Sequence, residues 1–148
     1  PNIVICHQVN CQGVMGAGIA KQIRARWPEV YEDYKKTIEN AEAQVAHLEN
    51  PPDDILLGTV ACTTTVDGHR VASLFVQYDY GYGPRRYTNY EAFANCLENL
   101  NTLVPAYIPI AFPYKIGCGL GGGDWDIILL MIRKILHHEE VYICQLED

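Results

Sequence analysis

Apolar positions along this chain follow two rhythms, one of strands and one of helices. Residues 2–9 (NIVICHQV) form an almost unbroken apolar run rich in β-branched side chains, the pattern of a strand buried on both faces. The stretch 10–18 (NCQGVMGAG) interrupts it with turn-forming residues. Residues 19–26 take up helical spacing, with Ile19 and Ile23 on one face. Pro28 ends that helix and suits the first turn of the next, along which Tyr31, Tyr34, Ile38 and Val45 recur at helical intervals. After a polar loop at 50–54, residues 56–65 and 70–77 read as strands joined by Asp67-Gly68, a hairpin turn pair.

An irregular aromatic loop covers 79–86 (DYGYGPRR). Residues 87–103 then predict a helix whose buried stripe is Tyr90, Phe93, Ala94, Leu97 and Leu100. A strand at 107–112, a glycine-rich loop at 113–123, an amphipathic helix at 124–138 with Asp124 as N-cap, and a strand at 141–146 complete the chain. This alternation predicts one α/β domain over residues 1–148, with a mixed, mostly parallel sheet between helices on both faces.

Composition narrows the functions. At 148 residues and 49% apolar, the chain suits one domain with its own core. A formal net charge of −7 argues against non-specific nucleic-acid binding, which needs a basic face. It leaves room for a small anion, because helix N-termini hold phosphate without lysine. The six cysteines include no CxxC pair and no zinc spacing with histidine. They are expected to be reduced thiols of a cytoplasmic protein with no metal and no cofactor. No apolar run is long enough for a membrane helix, so no membrane partner is expected.

Two glycine loops carry the candidate chemistry. Gly13, Gly16 and Gly18 follow the first strand and lead into a helix. Gly117, Gly119, Gly121, Gly122 and Gly123 follow a later strand and lead into another. Glycines at such junctions let backbone N–H groups approach a phosphate, and ligands of open α/β sheets bind at the carboxyl ends of strands. Gly117, Gly119 and Gly122 also fit the GxGxxG dinucleotide spacing, with Glu147 at the end of the next strand. That favours a nicotinamide-dependent oxidoreductase, but too few strands follow to build the second half of such a site. Two phosphate-type loops near opposite ends of one domain instead suggest a single clamped diphosphate.

The run 7–20 (HQVNCQGVMGAGIA) and the run 113–120 (PYKIGCGL) resemble the two ligand loops of macro domains. The similarity is greatest to the branch of terminal ADP-ribose protein glycohydrolases, DarG-type DNA ADP-ribosyl glycohydrolases and yeast-type ADP-ribose 1''-phosphate phosphatases. The resemblance implies a three-layer α/β/α domain binding ADP-ribose or an ADP-ribosylated molecule. It implies that Asn10 contacts the distal ribose, with Gln12 beside it. Gly13, Val14, Met15, Gly16, Ala17, Gly18 and Ile19 would cradle that ribose and its phosphate. Ile116, Gly117, Cys118, Gly119, Leu120, Gly121 and Gly122 would grip the diphosphate, and Tyr78, Tyr80 and Tyr82 would border the ribose.

This chain departs from the pattern in three places. The family's earlier strand, with a GD-type motif that reads adenine, would precede residue 1. Members acting on protein adducts place a lysine at about Tyr78, and no lysine occurs between Lys36 and Lys115. Their catalytic aspartate stands where this chain has Gly121. The tract 74–81 (LFVQYDYG) is closer to the phosphatase-like members. The expected activity is therefore hydrolysis at the distal ribose, of a 1''-phosphate or an ADP-ribosyl ester, with a non-catalytic reader as the alternative.

For proton transfer the candidates are His7, Asp79 and Asp124, each with a structural role open to it as well. His7 reads equally as a core histidine, Asp79 as a turn residue and Asp124 as a helix cap. Cys118, at a helix N-terminus expected to lower its pKa, is read as a packed loop residue rather than a nucleophile. Arg85 and Arg86 are candidates for a terminal phosphate or a solvated turn.

Overall fold

The computed structural model describes residues 2–52 and 55–145. Its elements are β1 (Val4–Asn10), α1 (Gly18–Arg26), α2 (Pro28–Val45), β2 (Val60–Thr64), β3 (Arg70–Gln77), α3 (Tyr90–Leu103), β4 (Ile110–Pro113), α4 (Trp125–Ile135) and β5 (Val141–Cys144). The strands form one mixed sheet in the order β2-β3-β1-β4-β5. β1 runs parallel to both β3 and β4, and β5 parallel to β4, while β2 closes its edge antiparallel to β3.

Each face of the sheet has its own core. Val4 and Cys6 of β1 and Ala72, Leu74 and Val76 of β3 pack against Phe93, Leu97 and Leu100 of α3 and Ile128 and Ile132 of α4. On the other face Val9, Val71 and Phe75 meet Ile23 of α1 and Val30, Tyr34 and Ile38 of α2. Both faces of β1 and β3 are therefore covered, which is why both read as continuous apolar runs. The three-layer α/β/α architecture is the one expected.

Several boundaries differ for local reasons. Residues 55–58 form a turn rather than the start of β2. Gly58 takes φ +88 there, and its N–H donates to the Phe75 carbonyl. α3 starts at Tyr90, three residues later than predicted. The Asn89 side chain caps it by accepting from Ala92 N, while the amides of Tyr87 and Thr88 donate to the Gly121 carbonyl. Ala92 and Cys96, rather than Ala94, share the buried stripe of α3 with Phe93, Leu97 and Leu100. β4 begins at Ile110 because residues 105–108 make a turn closed by Ile108 N to the Pro105 carbonyl. Leu146, expected at the end of β5, and Glu147 lie outside the described residues.

The register of β1 shifts once, between Val9 and Asn10. Below the shift, even-numbered Val4 and Cys6 face the α3/α4 core, and Val9 faces the α1/α2 core. Strict alternation would send Asn10 after Val4 and Cys6. At the shift Val76 of β3 stands opposite no residue of β1, and past it the Asn10 side chain meets Tyr34 of α2.

Candidate functional site

Both glycine loops stand at the carboxyl end of the sheet, over the ends of β1 and β4. The first is stapled from below by two side chains. Asn10 Nδ2 donates to the Val14 carbonyl at 2.8 Å, and Asn10 Oδ1 accepts from Gln12 N at 2.9 Å. The Tyr34 hydroxyl lies 2.7 Å from the Asn10 carbonyl and 2.9 Å from Asn10 Oδ1, and it accepts from Gly13 N at 3.0 Å. Burial pushes the Tyr34 phenol well up, so it stays protonated as this network requires. Gly13 takes φ +80, a conformation glycine adopts without strain.

α1 follows directly. Its N-cap is Ala17, which has no side-chain acceptor to offer, so the first-turn amides keep their capacity for an anion. The second loop differs. Asp124 caps α4 by accepting from Asp126 N, which already places a carboxylate at that helix end. The helix dipole thus favours a bound anion at the first loop only. At the second loop the donors are the loop amides themselves.

Those amides are fewer than the glycine count suggests. Cys118 N donates to the Lys115 carbonyl, Gly122 N to Gly119 and Gly123 N to Gly117, which folds the loop into tight turns. Among the described residues, the N–H groups of Gly119, Leu120 and Gly121 have no partner. The loop is fastened to the sheet from below. Thr88 Oγ1 donates to the Gly117 carbonyl at 2.7 Å and accepts from Gln8 Nε2 at 2.9 Å. Gln8 Nε2 also donates to Gln77 Oε1 at 2.8 Å, while Gln8 Oε1 is buried without a partner.

Between the loops lies a cleft with two chambers. The first, about 120 Å³, is bordered by Asn10, Val14, Gly16, Gln77, Tyr80 and Tyr82. The second, about 370 Å³, is bordered by Gly18, Ile19, Tyr114, Gly117, Cys118 and Gly121, with Ile116 and Gly119 also on its wall. Gln8, Ala17, Ala20, Gln77 and Leu120 border both, so the chambers are continuous. Tyr114 is 40% exposed there and meets Trp125 edge-on at 5.4 Å.

The proposed acid–base residues are spread out. His7 is buried beneath the second chamber, its Nε2 2.7 Å from Ser73 Oγ. Burial lowers its pKa to about 3, so the imidazole is neutral at ordinary pH. Asp79 is exposed and accepts from Tyr80 N, and it borders neither chamber. Asp124 serves as the cap of α4.

Of the expected ligand residues, Gln12 reaches sideways to the Tyr78 carbonyl, and Tyr78 itself is exposed. Met15 is packed in the α1/α2 core, and Gly122 forms a turn beside Arg85. Arg85 and Arg86 lie over the rings of Tyr87 and Tyr90, away from both chambers. The Cys118 thiol is pushed up, first by burial and then by nearby Asp124, and its S–H donates to the Ile116 carbonyl. The depressed pKa expected from its position before α4 does not occur, because burial raises it first and the Asp124 carboxylate at that helix end adds to the rise. Gln8, Gln77 and Tyr114 were not singled out by the sequence. Gln8 was legible as a polar side chain within an apolar strand, two residues before Asn10.

Among the described residues no group of three or more His, Cys, Asp or Glu is placed to hold a metal. No helix of the described residues is long and apolar enough to cross a membrane.

Known proteins share these features. The Macro domain profile matches residues 6–132. A DNA ADP-ribosyl glycohydrolase of Mycobacterium tuberculosis is 27% identical over 126 residues, covering 82% of this chain and 31% of that protein. The chain thus spans about a third of the length of that curated relative. In structure, a protein of unknown function from Bacteroides thetaiotaomicron superposes with TM-score 0.78 at 22% identity, over 99% of this chain and 89% of its own. The DarTG protein of Thermosipho africanus in complex with ADP-ribose superposes with TM-score 0.70 at 21% identity, over 97% of this chain and 38% of its own. At these identities the superpositions establish the fold, and the sequence match over most of the chain establishes the lineage: the protein belongs to the macro domain family.

Proposed function

We propose that this chain binds the ADP-ribosyl group in the cleft between its two glycine loops and hydrolyses the bond at the distal ribose. The observation that carries the reading is the clamp. Uncapped amides at the start of α1 face the free amides of Gly119, Leu120 and Gly121 across one cleft, which suits a diphosphate approached from two sides. The distal ribose would occupy the first chamber beside Asn10. The adenosine would lie in the second, against Tyr114. Relatives named as DNA ADP-ribosyl glycohydrolases support an ADP-ribosylated DNA as the substrate. The phosphatase-like tract at 74–81 supports ADP-ribose 1''-phosphate as the other substrate class. The loop amides would stabilise charge developing at the ribose, and Asp79 is the carboxylate next in sequence to the chamber wall at Tyr80. Six cysteines with no CxxC pair suit a reducing compartment, the cytoplasm.

One observation favours a second reading, that of a binding module without chemistry. The first chamber is bordered by Gln8, Asn10, Gln77, Tyr80 and Tyr82, and by no carboxylate, histidine or lysine. Calorimetry with ADP-ribose and turnover on an ADP-ribosylated DNA oligonucleotide and on ADP-ribose 1''-phosphate separate the two. Binding with turnover that Asp79→Ala lowers supports the enzyme; binding with no turnover leaves the reader. Gly18→Glu puts a negative charge and a strained φ of +58 at the uncapped helix start, and ADP-ribose affinity should fall at least about tenfold, or 1.4 kcal/mol. Unchanged binding by that variant would reject the clamp.

A further inference from the structure

Beyond the cleft, on the outer side of the first loop, lies a groove bordered by Met15, Gly16, Lys21, Arg24, Tyr31 and Glu32. Gly16 also borders the first chamber, so the groove begins where the proposed distal ribose ends. Its charge runs against that of the molecule. The chain carries −7, yet α1 has Lys21, Arg24 and Arg26 and no Asp or Glu. Arg26 points elsewhere and pairs with Asp67 at 4.0 Å. Arg24 stacks on the Tyr31 ring, its Cζ 3.7 Å from the centroid, and Lys35 Nζ lies 5.5 Å from the same centroid. The Tyr31 hydroxyl donates to the Gly13 carbonyl at 3.1 Å, which ties this cation cluster to the first loop. Glu32 is the one carboxylate among the groove's lining residues.

We propose that this groove receives the phosphodiester backbone of the DNA that carries the ADP-ribosyl group. This rests on the ADP-ribosyl reading of the cleft and adds the surface that holds the rest of the substrate. Arg24 and Lys35 lie over a fixed ring, and Lys21 lines the groove beside Arg24. A stacked guanidinium keeps its edge N–H groups free for phosphate oxygens. The face of Tyr31 is already covered by Arg24, so a base does not stack there, and the contact reads charge rather than sequence. An extended peptide would pair with a free strand edge, and it would bring no row of phosphates to these cations. The groove's walls are two helices and a loop, and they offer no strand edge. With so few cations on a chain of net charge −7, the groove holds a strand only when the ADP-ribosyl group is anchored next door.

The test compares affinities for free ADP-ribose, a single-stranded ADP-ribosylated DNA oligonucleotide and an ADP-ribosylated acidic peptide. The intact protein should bind the oligonucleotide at least about tenfold tighter than ADP-ribose. That advantage should fall with salt at a log–log slope of about −2, the value for three phosphate contacts on a single strand. Lys21→Gln with Arg24→Gln, and separately Lys35→Gln, should erase or reduce the advantage and keep the ADP-ribose affinity within about twofold. Retained ADP-ribose binding also reports that the variants fold. The proposal is overturned if the variants keep the advantage, or if the peptide gains as much as the DNA. Failure of the unmodified protein to bind ADP-ribose would instead bring down the cleft reading itself.

Discussion

A methyl group on Gly121 would lie 2.5 Å from Thr88 Oγ1 and 2.7 Å from the Gly117 carbonyl, with no flexible tip to give way on the backbone side. The same methyl on Gly119 would meet nothing within 4 Å. Two glycines two residues apart in one loop thus answer to different constraints. Gly121→Ala should push Thr88 or the Gly117 turn aside, costing about 1–3 kcal/mol of stability and lowering ADP-ribose affinity about tenfold. Gly119→Ala should leave stability within about 0.5 kcal/mol. Denaturant unfolding and calorimetry on the pair check both. The glycines were legible as loop residues between a strand and a helix, but which of them the fold itself needs was not. That depends on Thr88 and Gln8, which stand 29 and 109 positions from Gly117 along the chain and meet it only across the sheet.

Elements divide into those defined by their own sequence and those defined by neighbours. β3 was legible from end to end, because both of its faces are buried and a hairpin turn marks its start. The first apolar residues predicted for β2, Leu56 and Leu57, belong to a turn that lines the α1/α2 core. Apolar character alone cannot separate that from a strand. The β2–β3 hairpin carries a local carboxylate network that gives a pH dependence. Asp67 accepts from the Thr65 hydroxyl at 2.5 Å, lies 3.0 Å from His69 Nδ1, and accepts from Trp27 Nε1 at 3.1 Å. The Thr65 hydroxyl first, and then His69, hold its carboxyl well below the usual carboxylate range. A depressed pKa stabilises the fold above the unfolded value of about 3.9 and is lost as pH falls through the folded value. Asp67→Asn should therefore lower Tm at pH 7, and the gap from the unaltered protein should close as pH falls below about 4. Thermal melts across pH 7 to 2 test this. A gap independent of pH would assign the network's contribution to shape rather than charge.

At the scale of the whole molecule, the cleft is the place where both cores are joined. The first loop is stapled to α2 through Tyr34, and the second is fastened to β1 and α3's leading turn through Gln8 and Thr88. A ligand held by both loops is bound only by the folded chain. ADP-ribose at 100 times its Kd should add about 2.7 kcal/mol and raise Tm by about 5–10 °C. NAD at the same concentration should shift it less, since Gly122 of the GxGxxG spacing is tied into a turn with Gly119 and the helix that follows is already capped by Asp124. A larger shift with NAD would revive the dinucleotide reading. The fold class and the two glycine loops at the carboxyl end of the sheet were legible because periodicity and glycine spacing are local. The floor of the cleft was not, since Gln8 and Gln77 are 69 residues apart and meet only through the pairing of β1 with β3.

The register shift at the end of β1 separates two regimes of sequence change. Beyond it, the first loop hangs from Asn10 and Tyr34, and Cys11 and Met15 are what tie its length to the α1/α2 core. Before it, one inserted residue would move Val4 and Cys6 to the α1/α2 side and exchange the linings of both cores at once. The bulge therefore acts as a phase boundary. It lets evolution retune what the cleft accepts while the strand that carries it stays fixed in length.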